Sequence, residues 1–146
     1  MASRDTTTGS SYEAIIEMCI KRSCEKNALT AVPQSMVGEK PGGGKHRVDW
    51  EIYRTSNPDF RGLISCKYQG TSGTAEEKIA YEVIKLLHAM KIDNRFKKGW
   101  IIMGGEGWSS GMREFLNKHL VDWVPAMTGR IQILTTDQLI STNLDF

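Results

Sequence analysis

The apolar positions of this chain change period several times, and each change marks an element. Tyr12, Ile15, Ile16, Cys19 and Ile20 recur at helical spacing, which predicts a helix from a Ser10 or Ser11 cap to about Asn27. Glu13 lies at the edge of that stripe. Residues 28–45 lose all periodicity and collect Pro33, Gly38, Pro41 and Gly42 to Gly44, so they read as a loop. From His46 to Arg54 the pattern alternates. Val48, Trp50 and Ile52 fall on one face, Asp49, Glu51 and Tyr53 on the other. A turn at residues 55–59 leads to a second strand over about 62–69, with Ser65, Lys67 and Gln69 sharing a face.

Gly70 to Gly73 ends that strand. Thr74 is placed to cap a long helix to about Lys91, with Ala75, Ile79, Val83, Leu86, Leu87 and Met90 inward. Lys98 to Met103 reads as a buried strand, residues 109–120 as a helix and Ile131 to Leu134 as a short strand. Thr135 or Thr136 caps a last helical piece. The order α, β-hairpin, α, β, α, β, α predicts an α/β fold, a mixed sheet with helices on its faces.

With 146 residues, the chain suits one domain over 11–146. Residues 1–10 are polar, aperiodic and expected to be disordered. That segment lacks the apolar stretch of a signal peptide, and no apolar run approaches the roughly 20 residues of a membrane span. A cytoplasmic protein without membrane attachment is the expectation. Three cysteines without paired spacing argue against a disulfide framework, and scattered His46, His88 and His119 argue against a clustered zinc site. The net charge of +2 does not announce nucleic-acid binding by itself. Yet Lys40, Lys45 and Arg47 cluster, as do Lys91, Arg95, Lys97 and Lys98, and such clusters can neutralise phosphates.

The chemistry concentrates on the hairpin. If its strands meet near residues 54 and 61, Asp49 falls opposite residue 66, with Ser65 and Lys67 as its neighbours on one face. A carboxylate that holds Mg²⁺, beside an ammonium that orients water or stabilises charge on phosphorus, is what phosphodiester hydrolysis needs. An ordinary cross-strand ion pair has the same appearance.

At these residues, VDW (48–50) and SCKYQ (65–69), the sequence resembles the PD-(D/E)XK nuclease superfamily, which contains most type II restriction endonucleases. The order of elements is also similar, over most of the chain. The resemblance implies a restriction-endonuclease-like fold and a Mg²⁺-dependent DNA endonuclease (Mn²⁺ substituting), either restriction-type or phage-encoded. It implies Asp49 as a metal ligand, Lys67 as the catalytic lysine and Gln69 as its helper. Glu13 would be an additional acid on the first helix. It also implies cleavage to a 5′-phosphate by a homodimer or paired subunit. Lys45, Arg47 and Ser65 are the expected nucleic-acid contacts.

One position departs from the family pattern: Ser65 stands where the second acid belongs. Some restriction endonucleases with serine there bring the acid from the next helix, which offers Glu76, Glu77 and Glu82. Glu77 is narrowly preferred here. Ser65 also keeps open a catalytically inactive DNA-binding module on the same fold.

Two other motifs are set aside. GEKPGGGKH (38–46) lacks the Ser or Thr after lysine, and the helix, of a phosphate-binding loop. GWSSG (107–111) resembles a nucleophile elbow, but no acid-then-histidine order follows Ser109, so its residues are expected to shape a turn and a cap. Trp100, Trp108 and Trp123 are expected in the core.

Overall fold

The computed structural model describes residues 2–71, 73 and 75–146, with side chains from Ser10 onward. Residues 2–10, expected to be disordered, lie within the first helix, and the expected Thr74 cap lies outside the described residues. Helix α1 (Ala2–Asn27) ends where predicted, and it already runs through Ser10 and Ser11, so neither caps it. Ala28, at φ 55°, supplies the left-handed residue that closes it.

Three strands follow, β1 (Leu29–Glu39), β2 (Lys45–Arg54) and β3 (Asn57–Tyr68), then α2 (Ala75–Ile92) and β4 (Phe96–Gly104). A helical run comprises α3 (Ser110–Glu114), a π turn (Phe115–His119) and α4 (Leu120–Trp123), and β5 (Ile131–Thr135) and α5 (Thr136–Ser141) close the chain. The sheet has the order β1-β2-β3-β4-β5. Its first three strands are antiparallel, and β4 and β5 join in parallel. Helices cover both faces. This is the α/β arrangement, a mixed sheet with helices on its faces, that the order of elements predicts, with one further strand, β1, at the edge.

Strand β1 corrects the loop reading of residues 28–45. Pro33 and Gly38 suggested irregular chain, but β1 is the edge strand, where a residue without an N–H is tolerated. The turn between β2 and β3 is shorter than expected: Arg54 pairs with Asn57, leaving only Thr55 and Ser56 between them.

Two apolar clusters lie on opposite faces of the sheet. One packs α2 and the π turn against Val48, Leu63, Ile101, Met103 and Ile133. The other packs α1 and α5 against Ile52, Ile64, Trp100, Ile102 and Leu134. Gly104 is fixed by this second layer, because a Cβ there would sit 1.9 Å from the Tyr12 ring. Trp100 and Trp108 are buried as expected, whereas Trp123 is 76% exposed, at the end of a short helix whose buried residue is Leu120.

Candidate active site

The clusters show that β2 does not keep one alternation. Val48 packs on the α2 face, but Trp50 and Ile52, two and four residues on, pack on the α1 face. The reversal falls on Asp49. Pairing of β2 with β3 runs from Arg54 only as far as Trp50↔Ile64. Beyond it the strands part, which deprives the Cys66 N–H of a ladder partner. The Asp49 carboxylate enters this fork and accepts that N–H through Oδ2 at 2.7 Å. On the β1 side, Gln34 takes a positive φ of 51° between the pairs Pro33↔Trp50 and Ser35↔Val48. The bend therefore crosses both strands.

Ser65 and Lys67 pair with Ile101 and Met103 and so face α2. There they meet Glu82. The Ser65 hydroxyl donates to Glu82 Oε1. Lys67 Nζ lies 3.7 Å from the same oxygen, and Lys85 Nζ lies 2.6 Å from Oε2. Burial alone pushes the Glu82 carboxyl up. Hydrogen bonds from Lys85 and Ser65, with the charges of Lys67 and Lys85, outweigh burial and hold it below the usual carboxylate range. Glu82 is thus a buried, ionised carboxylate wedged between a serine and two lysines.

This arrangement corrects two expectations. Glu77 is exposed on the outer side of α2, so the helix brings Glu82, five residues further along, to the lysine. Glu76 does something else: its Oε1 accepts the Ser109 N–H at 2.7 Å, at the start of α3. Asp49, moreover, does not share the α2 face with Ser65 and Lys67. It sits in the fork and opens towards α1, into a cavity of about 430 Å³ lined by Tyr12, Glu13, Glu17, Gln34, Trp50 and Cys66, among others. The sequence could not show this, because an alternating strand gives no sign of where its partner leaves it.

Glu13 is exposed and lines that same cavity, so α1 does bring an acid towards Asp49. Between them the Cys66 thiol is pushed up to about 12, first by burial and then by the Asp49 charge, and is no nucleophile. Burial likewise raises the Tyr12 phenol, whose O–H donates to the Ile102 carbonyl.

Gln69 is buried, and both ends of its amide are used. Oε1 accepts the Ala75 N–H at 2.9 Å and so caps α2, while Nε2 donates to the Gly107 carbonyl at 2.8 Å. In this structure it therefore ties the end of β3 to the start of α2 rather than reaching Lys67. Gly105 and Gly107 are small for the same reason: a Cβ on either would strike the backbone of Gln69 or Thr71. Ser109 caps α3, accepting the Met112 N–H, as its turn-and-cap reading predicts. Lys45 and Arg47 are exposed on β2, beyond the fork.

Sequence reasoning missed His46. It is 1% exposed, on the α2 face, and neither ring nitrogen has a hydrogen-bond partner. Burial first, then the charge of Lys85, lowers its pKa. Its alternation with Val48 pointed inward, which was the available signal.

Among the described residues, no three His, Cys, Asp or Glu side chains converge to hold a metal ion. Two carboxylates flank β3 on its opposite faces: Asp49 opens towards α1 and Glu82 lies under α2. Their hard oxygen donors suit Mg²⁺, which is commonly held by one or two carboxylates, with water and substrate phosphate oxygens completing its shell, but the two do not converge in this structure. No described helix is long and apolar enough to cross a membrane. In comparison with known families, the model of the PD-(D/E)XK nuclease superfamily domain matches residues 8–144. No curated protein matches the chain.

Proposed function

Because the chain belongs to the PD-(D/E)XK nuclease superfamily, we propose that it is a divalent-metal-dependent DNA endonuclease with a migrated acid, in which Glu82 does the work of the acid absent at position 65. The observation that carries this reading is the Ser65–Lys67–Glu82 cluster. A buried carboxylate reaches, from the following helix, the place beside the lysine that a residue-65 side chain occupies.

For Asp49, which opens towards α1, and Glu82, on the α2 face, to hold one ion, both carboxylates must turn to the mouth of the fork, with Glu13 supporting them from α1. A bound Mg²⁺ (or Mn²⁺) supplies charge neutralisation at the scissile phosphate and acidifies water. The protein's own groups do the remainder. Lys67, at 29% side-chain exposure, is reachable from solvent and can orient the attacking water or stabilise negative charge on phosphorus. Lys85 keeps Glu82 ionised, and Ser65 fixes which carboxylate oxygen faces Lys67. Gln69 holds the start of α2 and, through it, Glu82. In-line attack would leave a 5′-phosphate. Cleavage of both strands by so small a domain calls for two copies, so a homodimer or paired subunit belongs to the proposal.

Incubation with supercoiled plasmid tests it. Nicked or linear product should form with Mg²⁺ and not with EDTA. Asp49→Ala, Lys67→Ala and Glu82→Gln should each remove it. Duplex binding without cleavage, unchanged by those substitutions, would instead favour an inactive DNA-binding module.

A further inference from the structure

A second cavity, of about 380 Å³, lies beside the one at the fork. It sits where three parallel strands end, at Tyr68 of β3, Met103 of β4 and Thr135 of β5. Open α/β sheets bind ligands in crevices outside the carboxyl ends of such strands. The two cavities share Tyr12 and Tyr68, whose rings stand 5.3 Å apart at 43° and partition the space. Tyr12 is the fixed half of the partition. Its O–H donates to the Ile102 carbonyl at 2.9 Å, and Gly104 has no Cβ to strike its ring. Tyr68 is half-buried and borders both spaces.

Arg113, from α3, lines the second cavity. It is half-buried, yet it takes part in no ion pair among the described residues. Its guanidinium contact there is with the Gly105 carbonyl, at 3.5 Å. Glu106 and Asp137 line the same cavity but are exposed, and neither pairs with it. A guanidinium held partly out of water without a counter-charge suits an anion that the ligand brings, and its planar fork suits phosphate. An aromatic ring and an arginine in one cavity are the parts that hold an unpaired nucleotide. The base stacks on the ring and the backbone meets the cation. A base seated against Tyr68 has left both its own stack and its pairing partner.

We propose that the second cavity is a subsite for an unpaired nucleotide of the cleaved strand. Its base lies on Tyr68 and its phosphate on Arg113, while the scissile phosphate lies at the fork. The inference rests on the nuclease reading and narrows the substrate to DNA with unpaired nucleotides beside the cut, as at an overhang or a flap.

Fluorescence anisotropy in EDTA tests it with a blunt labelled duplex and the same duplex carrying a short overhang. Wild type should bind the overhang substrate about tenfold more tightly, the order of one base–aromatic stack. Tyr68→Leu should abolish that preference, and Tyr68→Phe, which keeps the ring, should retain it. Arg113→Gln should lower the slope of log K against log salt on the overhang substrate by about 0.7, one single-strand phosphate contact. It should leave the blunt-duplex slope unchanged. Arg130→Gln, which removes one exposed charge elsewhere, should change neither slope. If Tyr68→Leu fails to fold, Arg113→Gln decides the matter by itself. No preference for the overhang in wild type, a preference that survives Tyr68→Leu, or the same slopes for Arg113→Gln and Arg130→Gln would each overturn the subsite. Absence of plasmid cleavage by the wild type would sink the nuclease reading instead, while the binding result stands by itself.

Discussion

Glu82, on the second helix, accepts a hydrogen bond from Ser65, on the third strand, so that the carboxylate occupies the space a longer side chain at 65 would fill. Seventeen residues of chain separate the pair. Because the acid comes from a helix, its position depends on how α2 docks, and three of the expectations below follow from that dependence.

Glu82→Gln keeps the size of the side chain but removes its charge. It should lower plasmid cleavage by about 10²-fold or more, the order seen when a charge-stabilising group is lost from an active site. It also leaves Lys85, only 19% exposed, without its counter-charge. A stability loss of about 1–3 kcal/mol, read by urea denaturation, should accompany it. Glu77→Gln, on the exposed side of α2, should change neither cleavage nor stability measurably. Equal effects of the two substitutions would show that the acid is misassigned.

Much of this was readable in the residues, for physical reasons. Strong periodicity gave α1, α2 and β4, and alternation gave the β2–β3 hairpin, but its register is one residue from the expected one, with Trp50 opposite Ile64, and the ladder ends before Asp49. Edge strand β1 was hidden, since an edge tolerates the Pro33 that would bar a central strand. The choice among Glu76, Glu77 and Glu82 turned on helical angle, and the angle depends on where α2 begins. Glu82 falls between Ile79 and Leu86 on the buried stripe, so its burial was in the pattern, but a charge there reads as a stripe edge until its lysines are seen. The face of Asp49 was not readable at all. It is decided by the strand separation after Trp50, a tertiary property.

Gln69 should behave as a positioning residue. Gln69→Ala removes the cap on Ala75 N–H and strands the Gly107 carbonyl, at a cost of about 1–2 kcal/mol. Cleavage rate should fall while duplex affinity, measured in EDTA, stays near wild type. Gln69→Glu keeps the acceptor for Ala75 N–H and loses only the donor, so it should recover part of the rate. Wild-type rates in Gln69→Ala would show that α2 docks without this tie.

His46 makes stability depend on pH. Its unfolded imidazole titrates near the ordinary 6.5, and burial holds the folded value lower. Between the two values the unfolded chain binds more protons, so stability rises with pH through that window. It is fully present above about 6.5 and is lost as pH falls towards the folded value. Lys85, His88 and Lys40 add to the lowering, while Glu82 opposes it. In His46→Leu, denaturation midpoints measured in EDTA should vary less between pH 5 and 7 than in wild type. Stability at pH 8 should be unchanged or higher, because two buried nitrogens without partners are removed. An unaltered acid limb would mean that His46 is hydrated or paired in solution.

The migrated acid should be movable. Ser65→Asp alone would place a second carboxylate against Glu82, and like charges at that separation disfavour joint ionisation. We expect it to destabilise the fold and to raise the pH needed for cleavage. Combining it with Glu82→Gln leaves one carboxylate in the same space, now carried by β3 and still flanked by Lys67 and Lys85. The double variant should therefore regain part of the cleavage that Glu82→Gln loses, with the same requirement for a divalent ion. Rate and stability must be read together. If stability returns and cleavage does not, Glu82 serves only to neutralise its two lysines, and the catalytic acid lies elsewhere on the chain.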